Sequence, residues 1–111
     1  MSIDLELDEL KREFLAEAEE KVQEIQSRLD DRSPESLERL TYLAHQLKGS
    51  GGSYGFQRIS TDAADLEKAV ERLGAGDGAS EAKMQQCVIN LRSEIARHLK
   101  ELEVSPNSAT S

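Results

Sequence analysis

The sequence predicts an all-α fold, an antiparallel up-down four-helix bundle. Four segments carry apolar residues at helical spacing, short connections separate them, and no segment shows the alternation of a half-buried strand. Leu, Ala, Glu, Lys and Arg are abundant, and these residues favour helix. A chain of 111 residues has the usual size of one domain, so we expect the four apolar faces to surround one core.

The first predicted helix runs from about Asp4 to Asp31 and contains no proline or glycine. Its apolar residues recur every three or four positions, so we expect them on one buried face. They are Leu7, Leu10, Phe14, Ala18, Val22, Ile25 and Leu29. Leu15 is also predicted to belong to the core rather than to an interface.

The second predicted helix has clear signals at both ends. Ser33 is a good N-cap, and Pro34 suits the first helical position. We expect the helix to end near Tyr54, with Gly55 in the left-handed conformation and Phe56 folding back as the apolar residue that follows. The apolar stripe between these ends consists of Leu37, Leu40, Ala44 and Leu47.

The third helix is predicted over about 57–73 and the fourth over about 79–103, with the glycine-rich turn 74–78 between them. The third would bury Ile59, Ala63, Leu66, Val70 and Leu73. The fourth would bury Met84, Val88, Leu91, Ile95 and Leu102. Residues 1–104 are therefore expected to form the bundle, and residues 105–111 a flexible tail or linker.

Charge and composition narrow the possible partners. With 14 basic and 22 acidic side chains, the net charge is 14 − 22 = −8, which disfavours nucleic acid and anionic membrane surfaces. Cys87 is the single cysteine, so no intrachain disulfide and no metal site are expected. The first residues lack the pattern of a signal peptide, and we expect a cytoplasmic protein.

The most informative stretch begins at His45 in the second helix. At about 100° per residue, His45 lies about 140° from the centre of the apolar stripe, so we expect its ring to face solvent. Thr41, Gly49 and Gly52 lie around it on the helical wheel. Glycine in a helix interior costs roughly 1 kcal/mol relative to alanine, so the glycines are more easily explained by access to the ring.

Lys48 lies one turn after His45 on the same side of the helix, and no carboxylate occupies its neighbouring helical positions. A nearby lysine disfavours the imidazolium form and could hold an oxyanion attached to the ring. A phosphoryl group meets both requirements. The alternative is a solvated surface histidine on a helix that the glycines merely bend or fray.

His45, Lys48, Gly49 and then Gly55-Phe56 reproduce a known pattern. The sequence up to about Val104 resembles the histidine-containing phosphotransfer (HPt) domains of bacterial two-component relays, which are antiparallel four-helix bundles with an exposed phosphorylated histidine. The resemblance implies that His45 is the phosphoacceptor. Lys48 would then stabilise the phosphoryl oxygens.

Glu67 follows His45 by 22 residues, the position where phosphotransfer domains of chemotaxis kinases carry a glutamate that binds the ring. No basic residue on its own helix accounts for it. By accepting the Nδ1 proton, Glu67 would leave Nε2 as the nucleophile. The alternative is a solvated surface glutamate. This match suggests the first domain of a chemotaxis-type kinase, although a stand-alone relay protein also fits the length.

The resemblance also implies the partners and the reaction. His45 would accept a phosphoryl group from a kinase catalytic domain or a receiver aspartyl phosphate, and pass it to a response-regulator receiver domain. The chain would be a monomeric phosphocarrier, with Mg²⁺ supplied by the partner and no cofactor of its own. Gly49 and Gly52 would give access, while Gln46, Ser50 and Thr41 would contact the partner. The alternative is a helical module that docks receivers without being phosphorylated.

His98 and Cys87 lie on or beside the apolar stripe of the fourth helix. We therefore expect His98 to be a core or boundary histidine and not a second phosphorylation site. Cys87 is expected to behave as a small apolar residue. The glycines follow the lysine instead of preceding it, so the stretch is not a nucleotide-binding P-loop.

Overall fold

The computed structural model describes residues 3–103, which form four α-helices and no strand. They are α1 (Ile3–Ser27), α2 (Pro34–Ser53), α3 (Gln57–Gly74) and α4 (Ser80–Glu103). Short connections join consecutive helices, so neighbours run antiparallel and the predicted up-down bundle is confirmed. The predicted tail, residues 105–111, lies outside the described residues.

One hydrophobic core runs through the bundle. The side chains that are almost completely buried come from all four helices, and Phe14 and Leu15 belong to the core as predicted. The largest are Leu15, Ile25, Leu40, Leu43, Leu47, Ile59, Leu66, Met84, Leu91 and Ile95. Helix α2 packs most extensively on α3, and α1 packs more on α4 than on α2. A groove consequently remains open between α1 and α2.

The sequence-based prediction for α1 was correct within one residue at its start, but it was wrong at its end and in the burial of two leucines. Helix α1 stops at Ser27, four residues early, and Leu29 continues in a tighter turn whose amide donates to the carbonyl of Gln26. Leu7 and Leu10, predicted to be buried, are 41% and 46% exposed. Phe14 stacks on the residues of the α2–α3 turn, so the residues before it extend past the end of α2 and face fewer neighbours.

Helix α2 begins and ends where local chemistry favours it. Ser33 caps the start by accepting a hydrogen bond from the Ser36 amide, with Pro34 as the first helical residue. At the other end Gly55 has φ +84°, and the Phe56 amide donates to the Gly51 carbonyl at 2.8 Å. This Schellman turn directs the Phe56 side chain onto Phe14 and into the core.

Helices α3 and α4 lie within one residue of their predicted bounds. Helix α3 includes Gly74, and α4 begins at Ser80, after Asp77 accepts hydrogen bonds from the Ala79 amide and the Ser80 hydroxyl. None of the four described helices has a stretch that is both apolar enough and long enough to cross a bilayer.

Candidate functional site

Helix α2 remains helical through its glycines, and each glycine meets a different environment. A Cβ at Gly51 would lie 3.2 Å from both Ile59 Cγ2 and the Ser60 nitrogen, so Gly51 allows the close approach of α2 and α3. Gly52 faces the Ser60 hydroxyl, whereas nothing lies within 4 Å of a Cβ at Gly49. Of the two glycines predicted to give access, only Gly49 therefore borders open space.

The side chain of His45 is 66% exposed, as predicted from the helical wheel. Its Nδ1 lies 3.2 Å from Oε2 of Glu67, which reaches across from α3. A carboxylate accepts but does not donate, so Nδ1 carries the proton and the neutral ring keeps its lone pair on Nε2. The contact leaves the nitrogen on the far side of the ring for chemistry.

Lys48 also binds Glu67. Its Nζ donates to Oε1 at 3.0 Å, so the two carboxylate oxygens of Glu67 hold His45 and Lys48 separately. The sequence pattern placed Lys48 beside His45 but did not reveal this ion pair, because the partner lies 19 residues away on another helix. The three side chains form one charged cluster, which we call the His45 triad.

The electrostatics of the triad depend on Glu67, whose side chain is only 16% exposed. Burial raises the pKa of this carboxyl group. The hydrogen bond and positive charge of Lys48, together with the hydrogen bond from His45, outweigh burial, so the pKa of Glu67 lies below its ordinary value of 4.5. Glu67 is therefore an anion at neutral pH and can orient the ring.

The packing of α3 explains why Glu67 reaches α2. Ile59, Ala63, Leu66 and Val70 face the core, which places Glu67 at the edge of the α2–α3 contact. The Ser60 hydroxyl also donates to the Lys48 carbonyl at 2.8 Å and ties α3 to α2 beside the triad. The sequence pattern did not identify Ser60 directly. The related feature in the sequence is the pair Gly51 and Gly52, which allows the close approach that brings Ser60 within range.

The residues predicted to contact a partner fall on two sides of His45. Gln46, Gly49 and Ser50 line the groove between α1 and α2, and His45 itself forms part of that wall. Thr41 instead faces a shallow apolar depression between α2 and α3, and its hydroxyl donates to the Leu37 carbonyl of its own helix. Thr41 therefore does not share a surface with Gln46 and Ser50.

The groove between α1 and α2 has a volume of about 660 Å³ beside His45. Helix α1 supplies the opposite wall with Glu17 and Lys21, which pair loosely at 3.8 Å. These α1 residues were not assigned to the site from the sequence, because spacing along α2 carries no information about which part of α1 lies beside it.

His98 and Cys87 occupy the positions that the apolar pattern of α4 indicates. The His98 side chain is 20% exposed, and its ring lies 4.6 Å from the Phe56 ring. Cys87 is buried, and this burial raises the pKa of its thiol. Among the described side chains of residues 6–103, no group of three or more His, Cys, Asp or Glu could hold a metal ion.

The described residues thus form a four-helix bundle that exposes His45, with a carboxylate at its Nδ1 and a lysine one turn along the helix. The family model of the Hpt domain matches residues 9–103, and the chain belongs to the Hpt domain family. Hpt domains act in histidine phosphotransfer within phosphorelays, where they interact with receiver domains and kinases and are not themselves enzymes. Neither the curated proteins nor the solved structures gave a match.

Proposed function

We propose that Nε2 of His45 accepts a phosphoryl group from a kinase or from a receiver aspartyl phosphate and passes it to an aspartate of a receiver domain. One observation carries the proposal: Glu67 holds the Nδ1 side of a ring that is otherwise open to solvent. The free nitrogen is the one that a partner's active site can reach.

The transfer step follows from this tautomer. The Nε2 lone pair forms the new N–P bond while the bond from phosphorus to the leaving oxygen breaks, and the bonding electrons stay on that oxygen. The proton remains on Nδ1, so the phosphorylated ring becomes positively charged. The Glu67 carboxylate stabilises this charge across the 3.2 Å contact, as a carboxylate does in acyl-transfer triads. In transfer to a receiver, an aspartate oxygen bonds to phosphorus while the N–P bond breaks. The electron pair returns to Nε2, and the ring becomes neutral again.

Lys48 would stabilise the phosphoryl oxygens. An ammonium group has three N–H donors, so Lys48 can keep its hydrogen bond to Glu67 and still direct another donor towards the phosphoryl group. A charge-assisted hydrogen bond of this kind favours the bound dianion without a metal on this chain. We assign Mg²⁺ to the kinase or receiver, in line with the family resemblance.

The surroundings of His45 would serve access and docking. Gly49 has no side chain and borders open space, so a partner's backbone can approach the ring there. Gln46 and Ser50 line the adjoining groove and would contact the partner. Gly52 and Thr41 would contribute to access and docking on the side of His45 that faces α3.

The contact between Glu67 and His45 supports a chemotaxis-type context, in which this chain forms the phosphoacceptor domain of a larger kinase. A stand-alone relay protein uses the same site chemistry and differs only in its donor. In both cases we propose a monomer that works in the cytoplasm, where ATP-dependent kinases and receivers are available.

Labelling with radioactive ATP tests the proposal. Wild type, His45→Gln and His98→Gln would each be incubated with several histidine kinases, and the label checked for acid lability and base stability. We expect label on wild type and His98→Gln and none on His45→Gln. Absence of label on all three folded proteins would favour the alternative, a module that docks receivers without phosphorylation.

A further inference from the structure

Tyr42 is an exposed aromatic residue near the phosphoacceptor. Among residues 6–103, the large apolar side chains that remain exposed are Leu7, Leu10, Tyr42 and Ile89. Tyr42 is 50% exposed and precedes His45 by three residues on α2. This spacing places it about 60° around the helix and about 4.5 Å along the axis from His45. No other member of the set lies on α2.

Two contacts, one on the ring face and one at the hydroxyl, hold the Tyr42 side chain in place. The guanidinium of Arg39 lies over the ring, 5.4 Å from its centroid, and the hydroxyl accepts a hydrogen bond from Gln46 Nε2 at 2.7 Å. A surface aromatic fixed in this way loses little conformational entropy when a partner covers it. The ring is therefore organised for binding in the free protein.

The support extends to α1. Arg39 binds Glu24 through two hydrogen bonds of 2.7 and 3.0 Å. The hydrogen bond from Arg39 is the main cause that lowers the pKa of Glu24 to about 2, so the pair stays charged at neutral pH. The stacked Arg39 is thus itself fixed, and the chain of contacts runs from α1 through Arg39 and Tyr42 to Gln46, the neighbour of His45.

A partner that binds over His45 with an interface of ordinary size reaches Tyr42, which lies one helical turn away. Specific protein interfaces bury about 800 Å² on each partner, which is far more than one side chain at the centre. Aromatic residues near the centre of such interfaces carry a large share of the binding energy. We propose that Tyr42 is the apolar anchor that docks the receiver domain on the α1 side of His45. This inference rests on the proposed function of His45.

The surface around Tyr42 indicates the chemistry of its partner. The groove beside the ring carries Glu17 and Glu20 on α1. Glu17 pairs only loosely with Lys21 at 3.8 Å, and Glu20 makes no ion pair within the described residues. These carboxylates are available to cations, so the anchor fits an apolar recess on the receiver with basic side chains at its rim.

The test separates docking from chemistry. Phosphoramidate, a small donor that needs no docking surface, would first load the wild type, Tyr42→Ala, Tyr42→Phe and Ile89→Ala. Transfer rates would then be measured at increasing concentrations of a receiver domain. The receiver chosen is the one that removes the phosphoryl group fastest from the wild type. Ile89→Ala is a matched control, because it shortens a similarly exposed apolar side chain on α4.

We expect all four proteins to load at the same rate. For transfer to the receiver, Tyr42→Ala should raise KM about 10- to 30-fold with kcat nearly unchanged, because it removes an anchor of the interface. Tyr42→Phe keeps the ring and should remain within about threefold of wild type. Ile89→Ala should match wild type. Arg39→Gln removes one of the two contacts that hold the ring and leaves the hydrogen bond from Gln46, so it should raise KM by a smaller factor.

Two results would overturn the docking role and leave the proposed function standing. One is an unchanged KM for Tyr42→Ala. The other is slower loading of Tyr42→Ala by phosphoramidate, which would mean that Tyr42 acts on the histidine itself. Wild type that accepts no phosphoryl group from phosphoramidate or from any kinase would overturn the proposed function and this inference together.

Discussion

His45 and His98 make the same contact and differ in almost everything else. In each ring Nδ1 lies 3.2 Å from a carboxylate oxygen, of Glu67 for His45 and of Glu101 for His98. The second nitrogen of His98 lies 3.4 Å from Glu94, and its ring contacts Phe56. The second nitrogen of His45 has no partner within the described residues, and the ring is mostly exposed.

The comparison shows that a carboxylate at Nδ1 orients an imidazole but does not by itself make a nucleophile. A nucleophile also needs a free lone pair and a path for the partner. His98 lacks both, because it lies between two carboxylates and against an aromatic ring. His45 has both, because α2 carries Gly49 where a side chain would crowd the approach. The differences between the two sites can be tested in pairs of variants.

The largest difference is expected between Glu67→Gln and Glu101→Gln, in the rate at which His45 is phosphorylated. The amide keeps the shape of Glu67 but loses its charge, and its NH₂ can donate to Nδ1 and stabilise the wrong tautomer. We expect loading of His45 by phosphoramidate to slow about 10- to 100-fold, the loss that is typical when the hydrogen-bond partner that orients a metal-bound histidine is removed. Glu101→Gln should load like wild type, and equal loading of both variants would contradict an orienting role for Glu67.

The dependence of stability on pH gives a second test of Glu67, by comparing Glu67→Gln with wild type. Because the folded-state pKa of Glu67 is depressed, its contribution to stability is fully present above the ordinary value of 4.5 and is lost as pH falls through the lower folded value. Urea denaturation between pH 7 and pH 3 should therefore show a weaker loss of stability for Glu67→Gln than for wild type. Parallel curves for the two proteins would argue against the ion pair with Lys48.

An intermediate difference is expected between Lys48→Met and Lys100→Met, in the rate of phosphoryl transfer to a receiver. Both changes remove one positive charge, but Lys100 lies on α4 and makes no ion pair among the described residues. We expect transfer from phosphorylated Lys48→Met to a receiver to slow about tenfold, because one charge-assisted hydrogen bond to the phosphoryl group is lost. Lys100→Met should transfer at the wild-type rate. A similar slowing in both would indicate a general charge effect.

The smallest difference is expected between His98→Gln and His45→Gln, in the free energy of unfolding. Removing the half-buried His98 ring loses its contacts with Phe56 and two carboxylates, so the free energy of unfolding should fall by about 1–2 kcal/mol. His45→Gln changes an exposed side chain and should stay within about 0.5 kcal/mol of wild type. Chemical denaturation measures both, and the reverse order would mean that the assigned roles are wrong.

Much of the site could be predicted from α2 alone. The exposure of His45, the position of Lys48 on the same side and the Gly55-Phe56 turn depend on helical periodicity and on local backbone rules. These act over three to six residues, so one segment contains the needed information. The resemblance to the Hpt family added the position of Glu67, and the family match over residues 9–103 confirmed the family.

The fold class and the α2 face that carries His45 were determined by the sequence itself, because apolar spacing decides which face of each helix is buried. The packing of helices decided the rest. It left Leu7 and Leu10 exposed past the end of α2, directed both oxygens of Glu67 to α2, and fixed Tyr42 through a pair that reaches α1. Such contacts depend on how two helices are rotated and shifted against each other, and the spacing within one helix does not contain that information.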